Sequence, residues 1–112
     1  MHINNISVSG NLTSNAKVEQ VGDKSLIKFT VANDTGRYDS DGKWQPRVSY
    51  FNCERWTKTA DVSNLKKGVK VVVQGTMQNI PWEKGDKRGY NTSINVATID
   101  MLVPAKEKVT EA

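Results

Sequence analysis

From Ser25 to Ala32 the chain alternates apolar and polar residues, and this two-residue period recurs along most of its length. Ile27, Phe29 and Val31 fall on one face, with Lys28 and Thr30 on the other. Such a pattern suits a half-buried strand and sits badly on a helix. Ile6 and Val8 alternate in the same way before Gly10-Asn11 interrupts, and Ala16 to Val21 reads as that strand continuing after a bend. Val21-Gly22-Asp23-Lys24 reads as a turn. Asn33 to Gln45 is a polar loop containing Gly36 and Gly42, and Pro46 stands where the next strand begins, a place that tolerates a missing N–H.

Val48 to Trp56 is the third strand, and its parity divides it sharply. Tyr50, Asn52, Glu54 and Trp56 share one face, which is aromatic and polar. Ser49, Phe51, Cys53 and Arg55 share the other, which offers Phe51 and Cys53 to a core. Thr57 to Lys67 is the one helix candidate. Thr57 could cap it, Val62 and Leu65 give a narrow apolar contact, and Gly68 suits the left-handed stop position. Val69 to Gln74 is the fourth strand, and Gly75 permits a bulge. Met77 to Trp82, a Lys84 to Gly89 turn, and Tyr90 to Met101 form a long hairpin and the last strand. The expected fold class is therefore all-β: a five-stranded barrel with one short helix between strands three and four and a long β-hairpin after strand four. That is the order of the oligonucleotide-binding (OB) fold.

The length of 112 residues fits one domain, expected over 1–103, with a short flexible tail over 104–112 after Pro104. Apolar residues make up 37% of the chain, which is low and would suit subunits that share a core. The formal charge of +4 favours polyanions. The excess is local, because Arg55 to Lys70 carries Arg55, Lys58, Lys66, Lys67 and Lys70 against Asp61 alone. A single cysteine, Cys53, forms no intrachain disulfide and reads as a small buried apolar residue. No apolar run approaches the ~20 residues of a membrane helix. Met1 to Gly10 has no basic stretch followed by an apolar one. The expected setting is cytoplasmic, away from membranes.

The aromatic residues carry the functional signal. Trp44, Trp56 and Trp82 all sit among charges: Trp44 in Asp41-Gly42-Lys43-Trp44-Gln45-Pro46-Arg47, Trp56 after Arg55, and Trp82 ahead of Lys84, Lys87 and Arg88. A flat ring beside a cation can stack on an unpaired nucleobase while the cation meets phosphate. Duller readings stand beside this one. Tyr50 and Trp56 could belong to a core or a subunit interface, Trp82 could pin its hairpin, Trp44 could anchor its loop, and Tyr90 could pair across the hairpin. Lys66-Lys67 reads as a solvated helix end more readily than a phosphate clamp.

Catalytic and metal chemistry find little support. One Cys and one His cannot build a typical zinc site, and Asp39 and Asp41 lack further ligands. No phosphate-cradling glycine motif is present. The chain is expected to need no cofactor, to hold no metal and to have no catalytic residues.

The motifs taken together resemble the bacterial single-stranded DNA-binding protein family over about Ile3 to Leu102. Gly10-Asn11-Leu12-Thr13, Phe29-Thr30-Val31-Ala32-Asn33, Leu65-Lys66-Lys67-Gly68 before Val69 to Gly75, and Trp82-Glu83 through Arg88 and Tyr90 to Met101-Leu102 are similar to its motifs in order and spacing. The resemblance implies base stacking at Tyr50, Trp56 and Trp82, with Tyr38 a fourth in the loop. Tyr50 stands where the family usually has tryptophan and Trp56 where it usually has phenylalanine. Ile80-Pro81 replace basic residues, and Thr57 replaces a glycine. Trp44 and the cations Arg37, Lys43, Arg47, Lys70, Lys84, Lys87 and Arg88 complete the candidate DNA-binding set.

The resemblance further implies sequence-independent binding and protection of single-stranded DNA during replication, recombination or repair, by a homotetramer, with a dimer as the alternative. The family commonly ends in a long Gly/Gln/Pro-rich tail with an acidic tip. This chain ends at Glu111-Ala112 without one, so protein recruitment through such a tip is not expected. Either the chain is shortened or it is a tail-less member, encoded by a phage or mobile element. The competing reading is an OB-fold protein-interaction subunit of a replication-restart or conjugation complex.

Overall fold

The computed structural model describes residues 1–59 and 61–103; the expected tail over 104–112 lies outside them. It contains eight strands: β1 (Ile6–Leu12), β2 (Lys17–Val21), β3 (Lys24–Asp34), β4 (Arg37–Tyr38), β5 (Trp44–Gln45), β6 (Val48–Thr57), β7 (Lys70–Lys84) and β8 (Lys87–Val103). The main sheet runs β1-β7-β8-β6-β3-β2, and β1 also pairs with β3. The pairings β1–β7–β8–β6–β3–β1 therefore form a closed cycle, with β2 attached outside it as the partner of β3 alone. All are antiparallel except the short β6–β8 contact at Cys53↔Ile94 and Glu54↔Asn95. Closure removes sheet edges that would otherwise expose unpaired backbone groups.

The alternation read from sequence is visible in the burial. Ile27, Phe29 and Val31 of β3 join Val8, Leu12, Cys53, Val69, Val71, Val73, Ile94 and Val96 in one core. Burial among these side chains pushes the Cys53 thiol up to about 12, because the charged thiolate has no solvation there. We expect Cys53 to resist alkylation by iodoacetamide at pH 8 in the native state and to react only on unfolding; ready native labelling would contradict its burial.

Two expectations need correction. Ala16 to Val21 does not extend β1 after a bend: β2 is a separate strand, in a hairpin with β3 through the Gly22-Asp23 turn. The second is the helix. Among the described residues there is none: Thr57 closes β6, and those from 58 to 67 form bends and isolated turns. Local side chains win the backbone there. The Thr57 hydroxyl engages Thr59, accepting from its N–H at 3.2 Å and facing its carbonyl at 3.0 Å. The Asp61 carboxylate accepts from Ser63 N at 3.1 Å and from its hydroxyl at 2.8 Å. Such bonds compete with helical ones.

The backbone bonds that do form, Leu65 N to Val62 O and Val69 N to Lys66 O, close isolated four-residue turns. Gly68 adopts the expected left-handed φ of 91°, but it ends a turn. The segment is tied to the end of β1 by Gly68 N to Leu12 O and to the residue before β2 by Ala16 N to Leu65 O. Val62 and Leu65 still pack on the core, so this irregular connection does the covering expected of a helix.

Candidate nucleic-acid interface

Strand register places the candidate aromatics. Directly opposite residues of an antiparallel pair share a face, so Leu26, Lys28, Thr30 and Ala32 of β3 face the same way as Trp56, Glu54, Asn52 and Tyr50 of β6. Glu54 pairs with Asn95 of β8, which faces Thr76 of β7. Following β7 from Thr76 by twos reaches Gln78, Ile80, Trp82 and Lys84, with Lys84 opposite Lys87. Tyr50, Trp56, Trp82, Lys84 and Lys87 therefore belong to one outward side of a continuous sheet. The hydrogen bond from Gln78 Nε2 to Glu54 Oε1, 3.2 Å, ties the hairpin stem to β6 on that side.

The rings are exposed in proportion to that placement: Tyr50 by 66%, Trp56 by 47% and Trp82 by 40%, with the loop residues Tyr38 and Trp44 at 70% and 48%. None of them belongs to the core. Trp82 is seated on Gly89, its cross-strand partner, where an added Cβ would stand 2.8 Å from Cζ2. The ring thus rests against glycine backbone while remaining partly open to solvent.

The loop aromatics form a unit of their own. Tyr38 and Trp44 face each other across β4 and β5, with centroids 5.1 Å apart and planes at 70°, an edge-to-face pair. Trp44 also lies over Gly36, where any Cβ would collide with the indole.

Asp39 organises this loop. Its Oδ1 accepts from Asp41 N and Lys43 N, each at 2.9 Å, and Oδ2 accepts from Gln45 Nε2 at 2.9 Å. Among the described residues no cluster of three His, Cys, Asp or Glu could hold a metal ion. The Lys43 N–H, helped by Gln45, Asp41 and Gly42, holds the Asp39 carboxyl below the usual carboxylate range against some desolvation.

A depressed folded pKa means that the contribution is present above the unfolded value and fades only as pH falls through the folded one. With Trp56 and Trp82 replaced by Phe, Trp44 emission is therefore expected to stay flat from pH 7 to 5. It should change only below the ordinary carboxylate range. A transition centred at pH 4.5 or higher would refute the role given to Asp39.

The candidate cations separate. Lys84 and Lys87 share the side of Trp82. Arg88 faces the other way with Glu83, to which it pairs at 3.8 Å. Arg37, Lys43 and Arg47 belong to the loop and its exit. Lys70 begins β7 beside Asn11 and Val103, and the twelve-residue run to Trp82 is roughly 40 Å at a strand's rise per residue. It is far from Trp82, but its partner Asn11 lies across from Ala32 and Ala32 across from Tyr50, so Lys70 shares the row and side of Tyr50, three strands away.

Missed by the sequence reading is a groove of about 730 Å³ between the outward side of β3–β6 and the hairpin stem. Thr30, Asn52 and Glu54 line it from below, with Ile80 and Tyr90 to Ser93 as a wall. Its components lie far apart in the chain, and only the parity of Asn52 and Glu54 hinted at it.

A closed all-β sheet with an aromatic, grooved outer side places the protein in the OB-fold class. Solved structures agree on the fold. A deletion mutant of the single-stranded DNA binding protein from Thermus aquaticus superposes with a TM-score of 0.76 at 19% identity, covering 89% of this chain and 50% of that one. The Plasmodium falciparum SSB in complex with ssDNA gives 0.74 at 18% identity, covering 91% and 95%.

The chain belongs to the single-strand binding protein family, whose profile matches residues 3–102. It is 32% identical over 106 residues to single-stranded DNA-binding protein 1 of Chlorobaculum tepidum, covering 89% of this chain and 65% of that one. It is 33% identical over 92 residues to the single-stranded DNA-binding protein of Borreliella burgdorferi, covering 77% and 61%. The chain thus spans under two thirds of the length of these relatives.

Proposed function

We propose that this protein binds single-stranded DNA without catalysis, by stacking unpaired bases on Tyr50, Trp56 and Trp82 and by meeting phosphates with Lys84, Lys87 and the loop cations. The observation that carries this reading is the gathering of exposed rings on one side of the sheet, beside an open groove. Stacking tolerates any sequence because every base has a π-face. Binding only the unpaired form also lowers duplex stability by mass action. Tyr38 and Trp44 extend the surface on the loop, with Arg37, Lys43 and Arg47 beside them. Lys70, in the row of Tyr50, meets phosphate at that end of the sheet, and Arg88 contributes at most through the general field.

The relatives' names support the ligand, and the role in replication, recombination or repair follows from it. The short chain turns over Thr57 to Lys67 are compatible with an OB barrel, since they cover the core where that fold carries its helix. Assembly as a homotetramer, with DNA crossing several subunits, accords with the low apolar share of the chain. A cytoplasmic setting suits the lone thiol, and no described helix is long and apolar enough to cross a membrane.

The test is a tryptophan-fluorescence titration with oligo(dT) of several lengths at two salt concentrations, paired with a solution mass. Quenching is expected to saturate, and affinity to fall with salt while persisting in part at 1 M, because phosphate contacts are screened and stacking is not. Absence of quenching by any oligomer would end the proposal.

A further inference from the structure

We propose that Glu54 gives the groove a preference among pyrimidines, favouring cytosine over uracil; the inference rests on the single-strand reading above. Glu54 points outward from the middle of β6, between the levels of Asn52 and Trp56, and lines the groove. Its Oε1 accepts one hydrogen bond, from Gln78 Nε2 at 3.2 Å, and the same Nε2 lies 3.2 Å from Ser93 Oγ. Gln78 therefore fixes the carboxylate without filling it.

The nearest cation by register is Lys28, directly across from Glu54, but its Nζ lies on Glu19 at 3.3 Å. Among the described residues Glu54 has no ion pair. The groove thus presents a held carboxylate with acceptor positions to spare, on the side where bases would stack.

A carboxylate only accepts. Cytosine offers it an exocyclic amino group, a pairing used to read that base in duplex DNA. Uracil carries a carbonyl at the same position. Its one donor, N3–H, sits between two carbonyls whose lone pairs face an approaching carboxylate. The neighbouring Asn52 does not discriminate. Its Oδ1 accepts from Thr30 Oγ1 at 3.0 Å, which leaves the amide nitrogen to donate to the O2 carbonyl that both bases share. Asn52 thus adds affinity and Glu54 adds choice.

The experiment compares equal-length oligo(dC) and oligo(dU), which lack the thymine methyl, against the intact chain and Glu54→Gln at neutral pH and fixed salt. The intact chain is expected to bind oligo(dC) about fivefold or more tighter, the effect of one charge-assisted hydrogen bond. Glu54→Gln can turn an amide donor to the uracil carbonyl and keeps the reach to Gln78, so its ratio should fall to about one, chiefly through tighter oligo(dU) binding. Equal affinities for the two oligomers in the intact chain, or an unchanged ratio in Glu54→Gln with an unchanged Tm, would overturn the preference while leaving strand binding intact. Binding of neither oligomer would overturn the single-strand reading and the preference with it.

Discussion

Trp56→Ala and Trp82→Ala are each expected to weaken binding to oligo(dT) by roughly 5- to 150-fold, the equivalent of ~1–3 kcal/mol per stacked base. Both side chains stand outside the core, so neither change opens a cavity there. The effect should therefore appear in affinity and not in folding: urea midpoints should move by less than about 1 kcal/mol in free-energy terms. The two substitutions differ in what else they remove. Trp56 lies opposite Leu26, which is buried, and its loss uncovers that leucine. Trp82 rests on Gly89 at the hairpin, far from the core, and its loss frees only local backbone. Trp56→Ala should accordingly be the more destabilising of the pair. Unchanged affinity in both variants would remove Trp56 and Trp82 from the interface.

Gly75→Ala and Gly10→Ala are expected to act in the opposite way, on the fold. Gly75 stands at the register shift of β7, where an added Cβ would collide with the Asn95 carbonyl of β8. At Gly10 the collision is with the Ala32 carbonyl, and Val31 Cγ1 would be 2.8 Å away. Neither obstacle can rotate aside, because each carbonyl belongs to a strand held on its neighbours. A loss of about 2 kcal/mol or more is expected for each, in the range of overpacked sites. For a chain of this size that lowers Tm by roughly 10 °C. Calorimetry checks it, and a Tm within 2 °C of the parent would show that the strands can separate without penalty. Both positions are close approaches between neighbouring strands of the cycle, so their tolerance measures how tightly those strands are held together.

The strands and their faces were legible in the chain because alternation is a local signal. Ile27, Phe29 and Val31 had to point one way once β3 formed, and Tyr50 and Trp56 had to oppose Phe51 and Cys53. Gly75 as a bulge was legible from the backbone freedom of glycine at the end of an apolar run. The Thr57 to Lys67 segment was misread because Val62 and Leu65 suit a helix or a pair of turns equally. Thr57 and Asp61 then took their own neighbours' backbone groups. β2 was misread because a bend and a strand break look alike until a partner strand is known. The polar groove was not legible, since Thr30, Asn52, Glu54 and Ser93 come from three strands.

Local patterning is enough to specify an all-β chain with its rings set among cations and its apolar residues on one side of each strand, because a pleated strand sends alternate side chains to opposite faces whatever it pairs with. Which strands became neighbours was set by long-range pairing alone. Pairing β6 with β8, and β1 with both β7 and β3, carried Trp82 onto the side of Tyr50 and Trp56, left Lys70 at the far end of β7, and opened a groove with Glu54 in its lining. Those outcomes depend on register between segments tens of residues apart, which no local pattern encodes.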